Sequence, residues 1–187
     1  MDKDLQLRPY QITGRDFLRS RKFAMLGDAP GVGKTAQAIM AIDEGWKNIL
    51  VVCPASVKYQ WQKFFMDWRG WESFVITTSA IGVPKFDKPI IVNYDLLIRE
   101  KLLQRLLRQR YSLVIFDESH KLKSITSKRS KIALTQKYLR SRYERAWFLT
   151  GTPVKNRTID LFPILKSCAP ELLVPYDSYL KFVYRYC

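Results

Sequence analysis

Nine residues constrain this chain more than any others: Gly27-Asp28-Ala29-Pro30-Gly31-Val32-Gly33-Lys34-Thr35. An apolar run at 23–26 leads into them, and an alanine-rich amphipathic stretch at 35–44 follows. Strand, glycine-rich loop and helix in that order are the context a phosphate-binding loop requires. Gly31 and Gly33 let the backbone take positive φ, so that consecutive N–H groups converge on a phosphate. The N-terminus of the following helix adds partial positive charge. Lys34 would reach the β- and γ-phosphates of a nucleotide, and the Thr35 hydroxyl would ligate Mg²⁺. The strict spacing asks for glycine at position 28, where this chain has Asp28. An ordinary glycine-rich turn is the plain alternative; the flanking strand and helix favour nucleotide binding.

The rest of the chain repeats the same rhythm. Short apolar runs at 23–26, 49–53, 74–77, 90–92, 113–116 and 147–149 read as strands buried on both faces. Helical patterns lie between them at 9–19, 35–44, 56–68, 95–108, 127–139 and 158–167, with Ser56 as the expected N-cap of the third. Alternating strands and helices imply an α/β layered domain with a mostly parallel sheet. Residues 79–89 read as a surface connection.

At 187 residues the chain is long enough for one domain. Its 32 Lys and Arg against 17 Asp and Glu leave a net charge of +15, which argues for a polyanionic partner, nucleic acid first. The excess is uneven: residues 99–145 carry 14 basic and 4 acidic side chains. Solvated helix faces are the plain reading of such a run, and a phosphate-facing surface is the sharper one. Three scattered cysteines, Cys53, Cys168 and Cys187, suit free thiols in a reducing compartment. The start lacks the apolar stretch of a secretory signal, and no run approaches bilayer-spanning length, so a soluble intracellular protein without a membrane partner is expected.

Two further segments carry chemistry. Leu113-Val114-Ile115-Phe116 runs straight into Asp117-Glu118-Ser119-His120. Beside a P-loop, Asp117 would hold the Mg²⁺ shell and Glu118 would orient and deprotonate an attacking water. An acidic pair at a helix start is the plain alternative. Leu149-Thr150-Gly151-Thr152-Pro153 also follows an apolar strand, and its two hydroxyls could bond the acidic loop and sense a γ-phosphate; alone it would be an ordinary turn. Two other classes stay open at this point: a nucleic-acid-binding module with a structural P-loop, and a small P-loop kinase.

The ordered set GDAPGVGKT, DESH and LTGTP resembles superfamily 2 helicases and translocases. More narrowly, nearly the whole chain resembles the amino-terminal RecA-like lobe of an SNF2-family DNA translocase. Leu7-Arg8-Pro9-Tyr10-Gln11 is similar to the family's opening motif, which implies that Arg8, Tyr10 and Gln11 lie at the ATP, with Gln11 reading the adenine. Asp28–Thr35 is similar to D-E-M-G-L-G-K-T, where Asp28 fits without strain; Ala29-Pro30 replaces Glu-Met. Asp117–Ser124 resembles D-E-A-H-R-L-K-N, with Ser119 in place of alanine.

The resemblance implies a P-loop, RecA-like αβα sandwich that hydrolyses ATP with Mg²⁺ and moves on double-stranded DNA. It places DNA contacts at Pro54, Ala55, Ser56, Tyr94, Lys121 and Lys123, and nucleotide coupling at His120, Thr150, Gly151 and Thr152. It also implies a second RecA-like lobe that supplies an arginine finger. Residues 1–187 read as the first lobe alone, with the second lobe's motifs absent and Arg157 a loop residue. A cytoplasmic or nucleoid location follows, or a nuclear one in a eukaryote.

Overall fold

The computed structural model describes residues 6–80, 88–152, 158–176 and 178–186. Helix α1 (Pro9–Arg19) precedes strand β1 (Phe23–Leu26) and α2 (Lys34–Ala41). Then come β2 (Ile49–Cys53), α3 (Lys58–Arg69), β3 (Phe74–Val75), β4 (Ile90–Asn93), α4 (Tyr94–Leu97) and α5 (Glu100–Leu106). The chain continues through β5 (Tyr111–Asp117), α6 (Lys128–Leu134), β6 (Tyr143–Leu149), α7 (Phe162–Cys168) and α8 (Tyr179–Tyr186).

The six strands form one sheet in the order β1-β6-β5-β2-β4-β3, and every pair is parallel. Side chains alternate between its faces, as pleating demands. Ile49, Val51 and Cys53 pack with Leu18 of α1, Ile39 of α2, and Trp61 and Phe65 of α3. Leu50 and Val52 face the other way, onto Leu102, Leu103 and Leu106 of α5 and Ile132 of α6. Both faces are covered, which explains the unbroken apolar runs. The result is the three-layer αβα sandwich. A smaller cluster, Phe162, Leu173 and Phe182, ties α7 to α8.

The helices differ in detail from the sequence pattern. The helix expected at 95–108 is two helices, because Arg99 turns extended (φ −79°, ψ 119°). No glycine or proline marks that break. Its first turn is tied to β5 by the Tyr94 hydroxyl on the Asp117 carbonyl (2.8 Å), while α5 lays its leucines on the sheet. Ser56 is not an N-cap: it lies in a 3₁₀ turn, Ala55–Val57, and Val57 precedes α3 with no capping bond from its side chain. The helix expected to run from 127 to 139 stops at Leu134, where Thr135 turns extended. Its start is as expected, the Ser127 hydroxyl accepting from the Ser130 amide. The expected loop at 79–89 lies partly, and Pro153 and Arg157 wholly, outside the described residues.

Candidate nucleotide site and its neighbours

The strand order decides where the motifs meet. β6 lies between β1 and β5, with Leu26 beside Leu149 and Leu149 beside Asp117. The glycine-rich loop, the Thr150 turn and the acidic loop therefore leave three adjacent strands at the same carboxyl edge. On the far side of β5, Cys53 pairs with Asn93, so Pro54-Ala55-Ser56 and Tyr94 open onto that edge as well. Parallel α/β sheets bind ligands along this edge.

The loop after β1 is shaped by its glycines. Gly31 and Gly33 sit at φ +82° and +80°, and Gly33 is the cap residue from which α2 starts. A Cβ on Gly33 would also lie 2.3 Å from the Gln11 amide nitrogen. That amide donates to the Val32 carbonyl at 3.0 Å, while Gln11 Oε1 accepts from the Arg8 backbone at 2.9 Å. Gln37, fully buried on α2, donates to the same carbonyl at 3.3 Å. Two glutamines from two helices thus hold the loop by one oxygen. Lys34 folds onto it, its ammonium donating to the carbonyls of Asp28 (2.7 Å) and Ala29 (2.8 Å). Thr35 follows in the first turn of α2, half-buried. Arg8 and Tyr10 are exposed at the start of α1.

Asp117 ends β5 under close control. Its Oδ2 accepts from the Trp61 indole at 2.8 Å and its Oδ1 from the Glu118 amide at 2.9 Å. Burial raises its carboxyl above the ordinary range, the Trp61 bond works against that, and the charge of Glu118 adds to it. Each oxygen keeps a lone pair. Glu118 itself adopts the left-handed region (φ 49°, ψ 52°), a conformation costing a non-glycine residue about 1–3 kcal/mol. The turn it makes starts the 3₁₀ segment Ser119–Leu122. His120 Nδ1 lies 3.1 Å from Glu118 Oε2 and 3.4 Å from the Thr150 hydroxyl. Thr150 in turn accepts from the Thr152 amide at 3.1 Å, and its own amide donates to the Leu26 carbonyl at 3.1 Å. Glutamate, histidine and threonine form one continuous polar chain across β5 and β6.

Gly151 closes the arrangement. A Cβ there would lie 2.8 Å from Cγ, 3.1 Å from Cδ and 3.3 Å from N of Pro30. The proline that departs from the family pattern is thus the point where the phosphate loop touches the Thr150 turn.

The residues expected at DNA differ in their exposure. Ala55, Ser56 and Lys121 are exposed, and Pro54 and Lys123 are half-buried. Lys123 faces Asp160 at 4.0 Å. Tyr94 is 2% exposed and its hydroxyl is committed to Asp117, so its side chain positions the acidic loop from within. Gln37 carried no site signal in the sequence, and Trp61, which follows the segment 51–57 that resembles a family motif, gave no sign of its bond to Asp117; an indole in an amphipathic helix reads as core until the strand beside it is known. The 99–145 basic run is not one surface. Arg99, Lys121 and Lys123 lie toward the carboxyl edge, while Arg108, Arg110, Lys137 and Arg142 precede β5 and β6 at the opposite edge.

A glycine-rich loop, an acidic strand end and a hydroxyl turn on adjacent parallel strands define a RecA-like α/β fold. Residues 10–186 match the SNF2-related domain, and the chain belongs to that family. It is 34% identical over 193 residues to the DNA annealing helicase and endonuclease ZRANB3 of Mus musculus, covering 97% of this chain and 17% of that protein. It is 31% identical over 205 residues to the DNA repair and recombination protein RAD54B of Homo sapiens, covering 94% and 21%. Its fold matches the Sulfolobus solfataricus SWI2/SNF2 ATPase core in complex with dsDNA, with TM-score 0.76, 27% identity, and 97% of this chain and 39% of that one covered. The chain spans about a fifth of the length of these curated relatives.

Proposed function

We propose that this chain is the ATP-binding lobe of a double-stranded-DNA-dependent ATPase and translocase, working with a second RecA-like lobe. The observation that carries the reading is the meeting of the Gly31–Thr35 loop, Asp117-Glu118 and Thr150 at one sheet edge. The Thr35 hydroxyl and the Asp117 carboxylate are hard oxygen donors and suit Mg²⁺, with room in its shell for water and phosphate. The bound metal would neutralise charge on the transferring phosphoryl group.

Everything else falls to the chain's own groups. The N–H groups from Gly31 to Thr35 cradle the phosphates. Lys34 exchanges the Asp28 and Ala29 carbonyls for phosphate oxygens, so binding releases the loop from its own lysine. Glu118 orients the attacking water and takes its proton. His120 and Thr150 tie that glutamate to the phosphate loop through Gly151 and Pro30, so the site senses the nucleotide from both sides. Pro54, Ala55, Ser56, Lys121 and Lys123, on the same edge, meet the DNA backbone without reading sequence.

The test is ATP turnover of this chain joined to a second RecA-like lobe, with and without duplex DNA. Turnover should rise with DNA. Glu118→Gln should keep ATP affinity and lose about 10²–10⁴ in rate, the usual contribution of a general base. Turnover indifferent to both DNA and Glu118 would end the proposal.

A further inference from the structure

Two glutamines and two glycines interlock α1 with the glycine-rich loop. The Gln11 side chain of α1 lies against Gly33, where a Cβ would be 2.3 Å from its amide nitrogen. The Gln37 side chain of α2 lies in turn against Gly14 of α1, where a Cβ would be 1.9 Å from Oε1 and 3.0 Å from Cδ. Gln11, Gly14 and Leu18 follow one another along one face of α1 at helical spacing. We propose that Gln37 is a positioning residue for nucleotide binding: it holds the Val32 carbonyl in place once a base has drawn Gln11 away, and Gly14 is the gap that seats it. This role rests on the reading of the loop as the ATP site, with Gln11 at the base as its motif implies.

The Val32 carbonyl accepts from both amides, Gln11 Nε2 at 3.0 Å and Gln37 Nε2 at 3.3 Å, which fills its two lone pairs. The two donors differ in access. Gln11 is half-buried beside the loop, so a bound base can compete for its amide. Gln37 is fully buried, and no ligand reaches it. Its place in the chain ties it to the phosphate end: its backbone amide donates to the Gly33 carbonyl at 3.1 Å, and Lys34 and Thr35 share its turn of α2. Among the described residues, Gln37 Oε1 is buried without a hydrogen-bond partner. An orphaned buried acceptor costs stability, and a methionine of the same reach would avoid that cost. Methionine cannot donate to Val32. Nor can the amide turn over, since Oε1 would then meet the Val32 carbonyl, acceptor against acceptor. The orphaned oxygen is thus the consequence of aiming Nε2 at the loop. Gly14 leaves the room for it, with the Leu26 side chain closing the far side at 3.5 Å from a Cβ.

The test is a double-mutant cycle on this chain, with Mg²⁺-dependent binding of ATP and of inorganic tripolyphosphate measured by calorimetry. Tripolyphosphate has no base, so it leaves Gln11 on Val32. Gln37→Met should weaken ATP by about tenfold, the upper range for one hydrogen bond, and tripolyphosphate by less than about threefold. In a Gln11→Ala background Val32 depends on Gln37 for either ligand, and the same change should weaken both by about tenfold. The unfolding midpoint of Gln37→Met should match or exceed the parent's, which separates positioning from folding. Gly14→Ala should reproduce the Gln37→Met pattern, because its methyl displaces the buried amide. In a Gln37→Ala background, where the methyl has room, Gly14→Ala should add nothing. Equal losses for ATP and tripolyphosphate in both backgrounds would overturn the proposal, as would an ATP affinity indifferent to Gln37→Met. Failure of the underlying reading looks different: Lys34→Ala would bind ATP like the parent, or Gln11→Ala would leave the preference for ATP over GTP unchanged, whatever stands at position 37.

Discussion

Burial disfavours a charge on Asp117. With its carboxyl raised, the fold favours the protonated form. The sign follows from linkage: that stabilisation is complete below the ordinary carboxylate range and is lost as pH rises through the raised value. Wherever the group is ionised it therefore burdens the fold. Asp117→Asn keeps an oxygen for the Trp61 indole, gives up the bond from the Glu118 amide and removes the charge. Its unfolding midpoint at pH 7 should be higher than the parent's, by about 2–4 °C for each kcal/mol relieved, while Mg²⁺-dependent nucleotide affinity falls. The gap should close near pH 4; calorimetry at both pH values measures it. Gly151 is a second residue-scale case. Gly151→Ala drives a methyl into the rigid Pro30 ring, so the phosphate loop and the Thr150 turn must separate. Turnover should fall with ATP affinity changed much less, and Pro30→Ala in the same chain should restore part of the rate. Cys53, by contrast, is buried and its thiol pushed up to about 12, so mass spectrometry of the native protein should find it unalkylated at pH 8.

At the scale of elements, two helices matter through what they hold. α3 covers one face of the sheet and also brings Trp61 to Asp117. Trp61→Phe keeps most of the packing and leaves Asp117 Oδ2 unbonded. Loss of an opposing hydrogen bond should raise the carboxyl further, so the pH dependence of turnover should shift upward on its acidic side. α6 begins at Ser127, whose hydroxyl accepts from the Ser130 amide at 3.2 Å, and Ser130 Oγ donates to the Leu122 carbonyl at 2.8 Å. That pair fastens the end of the acidic loop to the helix behind it. Ser127→Ala should cost about 1 kcal/mol, seen in denaturant unfolding at unchanged slope.

The whole molecule separates what local pattern reveals from what it hides. Strand and helix types were legible because the apolar runs and the 3.6-residue stripes are local properties of the chain. The phosphate loop was legible for the same reason: its glycines, lysine and threonine are contiguous, and Gly31 and Gly33 adopt the positive φ that their spacing implies. The acidic strand end and the Thr150 turn were found as separate signals. Their meeting was not, since it depends on β6, more than a hundred residues after β1, inserting between β1 and β5. The same strand order divides the basic run of 99–145 between two edges, turns Tyr94 inward, and makes Trp61 and Gln37 part of the site. What the sequence by itself determined was which short segments hold the chemical groups, because glycine, lysine and carboxylate stand there in contiguous runs. Which groups share a site, and which edge of the sheet each charge faces, only the tertiary structure decided, because strand adjacency is settled by burying both faces of the sheet at once.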